Sequence, residues 1–436
     1  MNVLIPIETA SRETPYKVFL SAFLSKKGFD CYIGTKTSIN NLIENSEDYI
    51  YLDKGFHNGV SQKIYYSIKE NNGLIYSLDE EGAVDYADNR IIKHRYCKEL
   101  FDFADHVFFW GRRQHVVVEG NIKFPEKVTV SGHPRFQLLT ESFHKIYQSE
   151  VSALRKRYGK YVLLNTNMSF GNNINGDEFI LKNYSDRFTN LDKIIDFDKE
   201  KCHLISKCIR EIAMSSDDKV ILRPHPEEEL NFYIEQFKDL PNVEVIYEGS
   251  VVPWILGSEY VVHPDCTTAI EAIFLGKKAF SLLPSNYDAT IVTSLPLEVS
   301  FRLNSEVDII SQINQELQNK SISPDLSKHL ESNFSTDTDS FSHIVQQFAK
   351  LYNPKARDVS KTVLFKQIIK NRIKDFYNVI APESMKRENK LSKNKTKELT
   401  INWVKELLGY FNQVNESVTS VEVKKVHKEL FLIRNK

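Results

Sequence analysis

The sequence has no CxxC pair, no long apolar run and no excess of either charge, and each absence removes a class of protein. Five cysteines (Cys31, Cys97, Cys202, Cys208 and Cys266) are odd in number and scattered over 436 residues. That argues against a disulfide framework and against a zinc site. No apolar stretch approaches the roughly 20 residues of a membrane-spanning helix. The opening MNVLIPIETASRE has no basic region ahead of its apolar run and soon meets Glu8, unlike a secretory signal. A reducing cytoplasm fits these readings. Lys and Arg number 57 against 58 Asp and Glu, so the net charge of -1 gives no argument for nucleic acid. No GxGxxG follows a first strand, and GxxxxGK[ST], HExxH and GxSxG do not occur. A dinucleotide oxidoreductase, a P-loop enzyme, a zincin and a nucleophile-elbow hydrolase are therefore disfavoured.

What is present is ordinary globular material, 41% hydrophobic and 26% charged, long enough for two to three domains. The charge is uneven. From Leu351 to Lys436 there are 19 Lys and Arg against 9 Asp and Glu, while the first 350 residues carry 38 against 49. An acidic body with a basic tail suggests that the tail meets something anionic. A solvated helical tail is the plainer alternative.

Short apolar runs alternate with helical patterns. NVLIPI, DCYIGT, DYIYLD, GLIYSLD, HVFFWG and KVTVSG read as strands, and YKVFLSAFLSKKG as a helix ending at Gly28. After the helical connector EVSALRKRYG a second series begins: KYVLLNTN, KVILRP, VEVIYEG, EYVVHPD and KAFSLLP as strands, CHLISKCIREIAM and TTAIEAIFLG as helices. Strands alternating with helices imply βαβ units and parallel sheets. The expectation is two Rossmann-like domains, 1–150 and 151–352, facing a cleft, followed by a basic helical tail over 353–436. In that tail KTVLFKQIIKNRIKDF and TINWVKELLGYF read as helices around the Lys-rich linker ESMKRENKLSKNKTKEL. Open α/β sheets bind ligands beyond the carboxyl ends of their strands.

Three clusters fall at such ends. In YSLDEEGAVDY, Asp79, Glu80 and Glu81 stand together before Gly82; crowding and partial burial would raise at least one of their pKa values, as suits a base or nucleophile. A solvated acidic turn is the simpler alternative. In KVILRPHPEEEL, Pro224 and Pro226 stiffen the backbone around His225, and Arg223 offers a planar fork for a phosphate. A proline-stiffened surface loop would look the same. In VVHPDCTTAIEAIFLGKKA, Thr267 and Thr268 lie at a helix start, where N–H groups favour an anion, and Glu271 sits one turn on, in reach of a sugar hydroxyl. Plain capping by Asp265 or Thr267 is the competing explanation. Two further segments are candidate cleft linings: Asn165, Thr166 and Asn167 in LLNTNMSFGNN for base or ribose, and Glu8, Arg12 and Glu13 in IETASRE for the acceptor side.

The order acid-acid-Gly (Glu80-Glu81-Gly82), His-Pro (His225-Pro226) and paired hydroxyls (Thr267-Thr268) resembles the superfamily of bacterial sialyltransferases and Kdo transferases. IPIETASRE, LLNTNMSFGN, VSGHPRF and DCTTAIEAIFLGK resemble the bacterial surface carbohydrate biosynthesis proteins within it. The resemblance covers residues 1–350 and omits the tail. It implies a GT-B glycosyltransferase that takes a CMP-activated sugar and needs no metal or other cofactor for nucleotide binding. An acid of the Glu80/Glu81 pair would be the catalytic carboxylate, with Glu8 as another candidate. His225, Thr267 and Thr268 would hold the CMP phosphate. Glutamates stand where many relatives have aspartates, with Asp79 one place earlier, and threonines replace serines.

The activity implied is transfer of an ulosonic or nonulosonic acid (Kdo, or a sialic or legionaminic type) onto a surface polysaccharide or lipopolysaccharide acceptor. A CDP-polyol phosphotransferase of the teichoic-acid type and a non-catalytic scaffold of a glycan assembly complex are the alternatives. The basic segment 356–436 is expected to dock on an anionic membrane, which would put the protein at the inner face of the cytoplasmic membrane.

Overall fold

The computed structural model describes residues 1–82, 84–185, 190–324, 332–335, 339–351, 399–414 and 421–436, with 359, 369, 373 and 396 singly. The chain divides into two compact units. The first comprises Met1–Gly82, Ile91–Leu138 and Leu330–Lys436; the second comprises Ala83–Arg90 and Leu139–His329.

The first unit is built on one sheet. Its strands are β1 (Asn2–Ile7), β2 (Asp30–Thr35), β3 (Tyr49–Asp53), β4 (Leu74–Leu78), β5 (His106–Phe109), β6 (Val128–Val130), and from the second unit's far side of the sequence β13 (Val421–His427) and β14 (Leu430–Asn435). Their order is β13-β14-β2-β1-β3-β4-β5-β6. The strands from β2 to β6 run parallel, as in Asn2↔Asp30 and Ile50↔Leu74, whereas β14 pairs antiparallel to β2 and β13 antiparallel to β14. All six residues of β1 are buried. That is why NVLIPI shows no polar alternation: a parallel strand covered on both faces is apolar on both.

The helix Ala10–Lys26 is buried on nearly every face. The helices Ser340–Lys350 and Ile401–Val414 pack on it, with Phe411 edge-on to Phe19 (4.9 Å) and Phe23 (4.8 Å) and Phe341 beside Phe23 (5.3 Å). Its remaining polar stripe descends through Glu13, Lys17, Ser21 and Ser25. Ser21 and Ser25 donate to the helix carbonyls of Lys17 and Ser21, and Ser25 also reaches Ile433 O in β14.

The end of the chain differs from the expected helical tail. Residues 401–414 are helical, but 421–435 are a β-hairpin that extends the first sheet, with Leu430, Phe431 and Ile433 wholly buried. A run such as LFLI is better buried as a strand, against β2, than on a solvated helix. Most of 352–398, including the Lys-rich linker, lies outside the described residues. Among the described residues no helix is long and apolar enough to cross a membrane.

The second unit holds a six-stranded, wholly parallel sheet: β7 (Tyr161–Asn165), β8 (Lys219–Arg223), β9 (Val243–Val245), β10 (Val261–His263), β11 (Ala279–Leu282) and β12 (Phe301–Leu303), in the order β12-β11-β10-β7-β8-β9. The helix Leu191–Ser215 covers it through Ile205, Ile209 and Ile212 at helical spacing.

Candidate functional site

Both sheets reverse their direction of growth, and both reversals carry chemistry. In the first unit β1 leads to β2 on one side and β3 joins on the other. In the second, β7 leads to β8 and β9, and β10 returns to β7's other edge. A crevice opens beyond the carboxyl ends of strands at such a reversal, because the connections leave in opposite directions.

At the first reversal stands a nearly dry network of charges. Glu13, expected on the acceptor side, is wholly buried instead. Its carboxylate accepts the N–H groups of Glu8 (3.2 Å) and Thr9 (3.1 Å), closing the helix start, and pairs with Lys17 (2.7 Å) and Lys54 (3.1 Å). Lys54 also holds Glu8 (2.9 Å), whose side chain remains 45% exposed. Glu80 lies beneath. One of its oxygens accepts from the Tyr16 hydroxyl and meets Lys17 Nζ at 2.9 Å. Its other oxygen, Oε2, is buried without a hydrogen-bond partner and faces His133 Nε2, equally unpartnered, at 3.9 Å.

The three acids of 79–81 thus separate. Burial pushes Asp79 up to about 6, against the opposing pull of Arg95, which pairs with it at 3.0 Å. Burial opposes ionisation of Glu80 too, but Lys17 leads a set of charges that holds it well below the ordinary carboxylate range. His133 is pushed down to about 3 by burial, so at neutral pH it meets Glu80 as a neutral ring. Glu81 is also lowered in spite of burial, Arg12 being the chief cause. It pairs with Arg12 at 2.7 Å and is the acid of the three that reaches solvent, its side chain 34% exposed. Gly82 is needed here: a Cβ would stand 2.4 Å from Gln114 Nε2 and 2.9 Å from the Trp110 ring.

At the second reversal, the loops after β7, β8 and β10 meet. Asn167 Nδ2 donates to Asp265 Oδ1 (3.0 Å), linking the two sides. Asp265 also receives Lys201 Nζ (3.0 Å) and the N–H of Thr293 (3.3 Å), while Lys201 pairs with Asp198 at 2.8 Å. This buried triad pins three loops. Around it Asn165 Nδ2, Asn167 Oδ1 and Thr268 Oγ1 are buried polar atoms without a hydrogen-bond partner, although the Thr268 hydroxyl lies beside the Cys266 thiol. Neither Thr267 nor Asp265 caps the helix that starts at Thr268; Cys266 N–H instead donates to His263 Nδ1 (3.2 Å). Glu271 lies one turn into that helix, 9% exposed.

The RPHP turn is shaped differently from the expectation. Arg223 does not present its fork outward: it donates to the carbonyls of Glu248 (2.6 Å) and Gly249 (3.1 Å) and lies over the Trp254 ring. A planar guanidinium serves two carbonyls well, and at 6% exposure it has been drawn into the fold. Thr166 likewise spends its hydroxyl on Glu228 (2.9 Å). His225 remains half-buried between Pro224 and Pro226, its Nδ1 accepting Glu227 N–H (3.3 Å). Glu228, unnoticed in the sequence, is the hub: it accepts from Thr166, Met168 N–H (2.8 Å), His225 N–H (3.3 Å) and the Tyr233 hydroxyl (2.6 Å). Burial pushes its carboxyl up to about 7.

Sequence reasoning also missed Tyr16, Lys17, Lys54, His133 and Lys201. The Glu13–Lys17 spacing of four was a visible helical pair, and VSGHPRF placed His133 after a strand, but nothing local shows that these groups are buried. Among the described residues no cluster of His, Cys, Asp and Glu is arranged to hold a metal ion.

No family model and no curated protein sequence matches the chain. Solved structures do. The UDP-GlcNAc 2-epimerase of Methanocaldococcus jannaschii superposes with a TM-score of 0.51 at 14% identity, covering 80% of this chain and 100% of that one. The S. aureus MnaA–UDP co-structure gives 0.49 at 13%, over 82% and 100%. The wall teichoic acid polymerase TagF with CDPG gives 0.45 at 11%, over 80% and 88%. The first of these likenesses establishes the fold, GT-B.

Proposed function

We propose that the protein is a glycosyltransferase that moves an ulosonic or nonulosonic acid from its CMP conjugate to a surface-glycan hydroxyl. The observation that carries this reading is the second unit's reversal point. There Asn165 Nδ2, Asn167 Oδ1 and Thr268 Oγ1, at or just beyond the carboxyl ends of β7 and β10, are buried without hydrogen-bond partners, while the ion triad of Lys201, Asp198 and Asp265 fixes the loops that carry them. Buried polar groups without partners are costly unless a ligand satisfies them. The resemblance of the motifs at these strand ends to CMP-sugar enzymes supports cytidine monophosphate as the nucleotide.

In the proposed step the acceptor hydroxyl oxygen bonds to the anomeric carbon, the bond from that carbon to the CMP phosphate oxygen breaks, and CMP leaves with the electron pair. Glu81, ionised and solvent-facing, takes the hydroxyl proton; Glu80, sealed under Tyr16 and Lys17, positions the turn that carries it. His225 Nε2, Thr267 and Thr268 donate to the departing phosphate. No step calls for a metal.

Isothermal titration of the full chain with CMP, CDP and UDP tests the reading. It expects CMP to bind, and about tenfold more weakly in T267A/T268A. Binding of UDP with no response to CMP overturns it. Binding of CDP alone would instead favour polyol-phosphate transfer.

A further inference from the structure

Five cations surround the acids at the end of the first sheet: Arg12, Lys17, Lys54, Arg95 and Arg135. The first four are each in an ion pair with a carboxylate. Arg135 has no carboxylate partner among the described residues. Its guanidinium lies over the rings of Phe136 (4.8 Å to the centroid) and Trp110 (5.5 Å), its backbone N–H donates to His133 Nδ1 (3.1 Å), and its Nε is buried without an acceptor. Ring stacking fixes the plane of a guanidinium but satisfies none of its in-plane N–H groups. Arg12 repeats the pattern: Nη2 holds Glu81, and Nε is buried without an acceptor.

The two arginines come from opposite sides. Arg12 is on the helix that leaves β1, Arg135 on the turn that leaves β6, and Glu81 follows β4, which lies between those strands in the sheet. Both guanidiniums act electrostatically on Glu81. An oriented, ring-backed fork with an unused donor is the arrangement that receives planar or tetrahedral oxyanions.

We propose that Arg135, with Arg12 across Glu81, forms an anion subsite at the carboxyl end of the first sheet, and that it receives a carboxylate or phosphate group of the glycan substrate. The inference rests on the reading of this sheet end as the acceptor side and adds the chemistry that side recognises: an acidic glycan rather than a neutral one. Arg135 sets the specificity, and Glu81 keeps the subsite from binding anions indiscriminately.

The test uses the full chain with 15N-labelled arginine and three probes: the methyl ketoside of N-acetylneuraminate, its neutral methyl ester, and glycerol 3-phosphate. The expected result is that the Arg135 Nε resonance, and to a smaller extent that of Arg12, shifts with one of the two anions and not with the ester. Which anion acts separates a carboxylate-bearing glycan from a phosphate-bearing one. R135Q should weaken that probe at least tenfold while the thermal unfolding midpoint stays within a few degrees. R135K, which keeps the charge but loses the fork, should weaken it nearly as much. Absence of any shift up to tens of millimolar, equal shifts with the ester, or wild-type affinity in R135K would each overturn the proposal. CMP titration of the same sample separates the two readings. An Arg135 response without CMP binding sinks the CMP-sugar reading alone, and CMP binding without an Arg135 response sinks this one alone.

Discussion

His133, His225 and His263 each precede a proline just beyond a strand, and each turns its Nδ1 to a backbone N–H two or three residues on: Arg135 at 3.1 Å, Glu227 at 3.3 Å and Cys266 at 3.2 Å. This repeated pattern assigns the neutral ring's proton to Nε2. The His-Pro dipeptide is therefore first a turn-former, and its use toward a ligand depends on what Nε2 meets. In His263 it meets Ser300 (2.8 Å). H225N keeps a side-chain oxygen for Glu227 N–H and removes Nε2. It should fold normally and lose about tenfold in CMP affinity by calorimetry, whereas unchanged affinity would return His225 to a purely structural role. K17M removes a cation shared by two buried carboxylates, Glu13 and Glu80, leaving Glu80 only the Tyr16 hydroxyl among the described residues, and should cost about 3–5 kcal/mol in denaturant unfolding. Glu228 supplies a pH signature. Its carboxyl lies at about 7 when folded against 4.5 otherwise, so its stabilising effect is complete below about 4.5 and is lost as the pH rises through 7. Relative to E228Q, the wild type should lose on the order of 3 kcal/mol across that range; parallel melting curves against pH would contradict this. At this scale the sequence was legible where an acid, a His-Pro or a Thr-Thr stood at a strand end. It was silent on burial, which reassigned Glu13, Thr166 and Arg223 from ligand contacts to the frame.

The elements show why the strands were readable and the chain's end was not. Each of the eleven apolar runs picked out in the sequence contains a strand; most are parallel strands buried on both faces and so read as continuous apolar words, whereas Val128–Val130 and Val243–Val245 are only partly buried. Phe301–Leu303 is only three residues long with Arg302 exposed, too short to stand out. The hairpin of β13 and β14 was masked by its lysines and by a turn at His427–Glu429 with no glycine or asparagine. Its own alternation of Val421, Val423 and the LFLI run was the available signal. Docking of this hairpin depends on Gly34: a Cβ there would lie 2.5 Å from Glu429 O and 2.9 Å from Leu430 Cδ1. G34A should therefore loosen the hairpin, lowering stability by about 1–3 kcal/mol and raising amide exchange across 430–434. Exchange unchanged at those positions would show that the two strands do not depend on that close approach.

Across the whole molecule, two sheets, one mostly and one wholly parallel, each reverse at a strand whose neighbours carry the charged or unpartnered groups, and each reversal has its own chemistry. The first collects carboxylates and arginines; the second collects amides, hydroxyls and an imidazole. In the proposed step the carboxylates of the first end take the proton and the donors of the second meet the departing phosphate. The two Rossmann-like halves were accessible from the alternation of strands and helices, and the GT-B fold from the resemblance of the motifs. The return of the C-terminal segment to the first unit was not, since it depends on a pairing some 400 residues apart, between β2 and β14. The most direct measurement incubates the full chain with CMP-Kdo, CMP-N-acetylneuraminate, CDP-glycerol and UDP-GlcNAc, each with and without an acidic glycan acceptor, and follows nucleotide release and product mass. The account predicts CMP release from a CMP-sugar, gain of one sugar acid by the acceptor, and a loss of at least about 100-fold in E81Q. Turnover of CDP-glycerol or UDP-GlcNAc with no release of CMP from either CMP-sugar would contradict it.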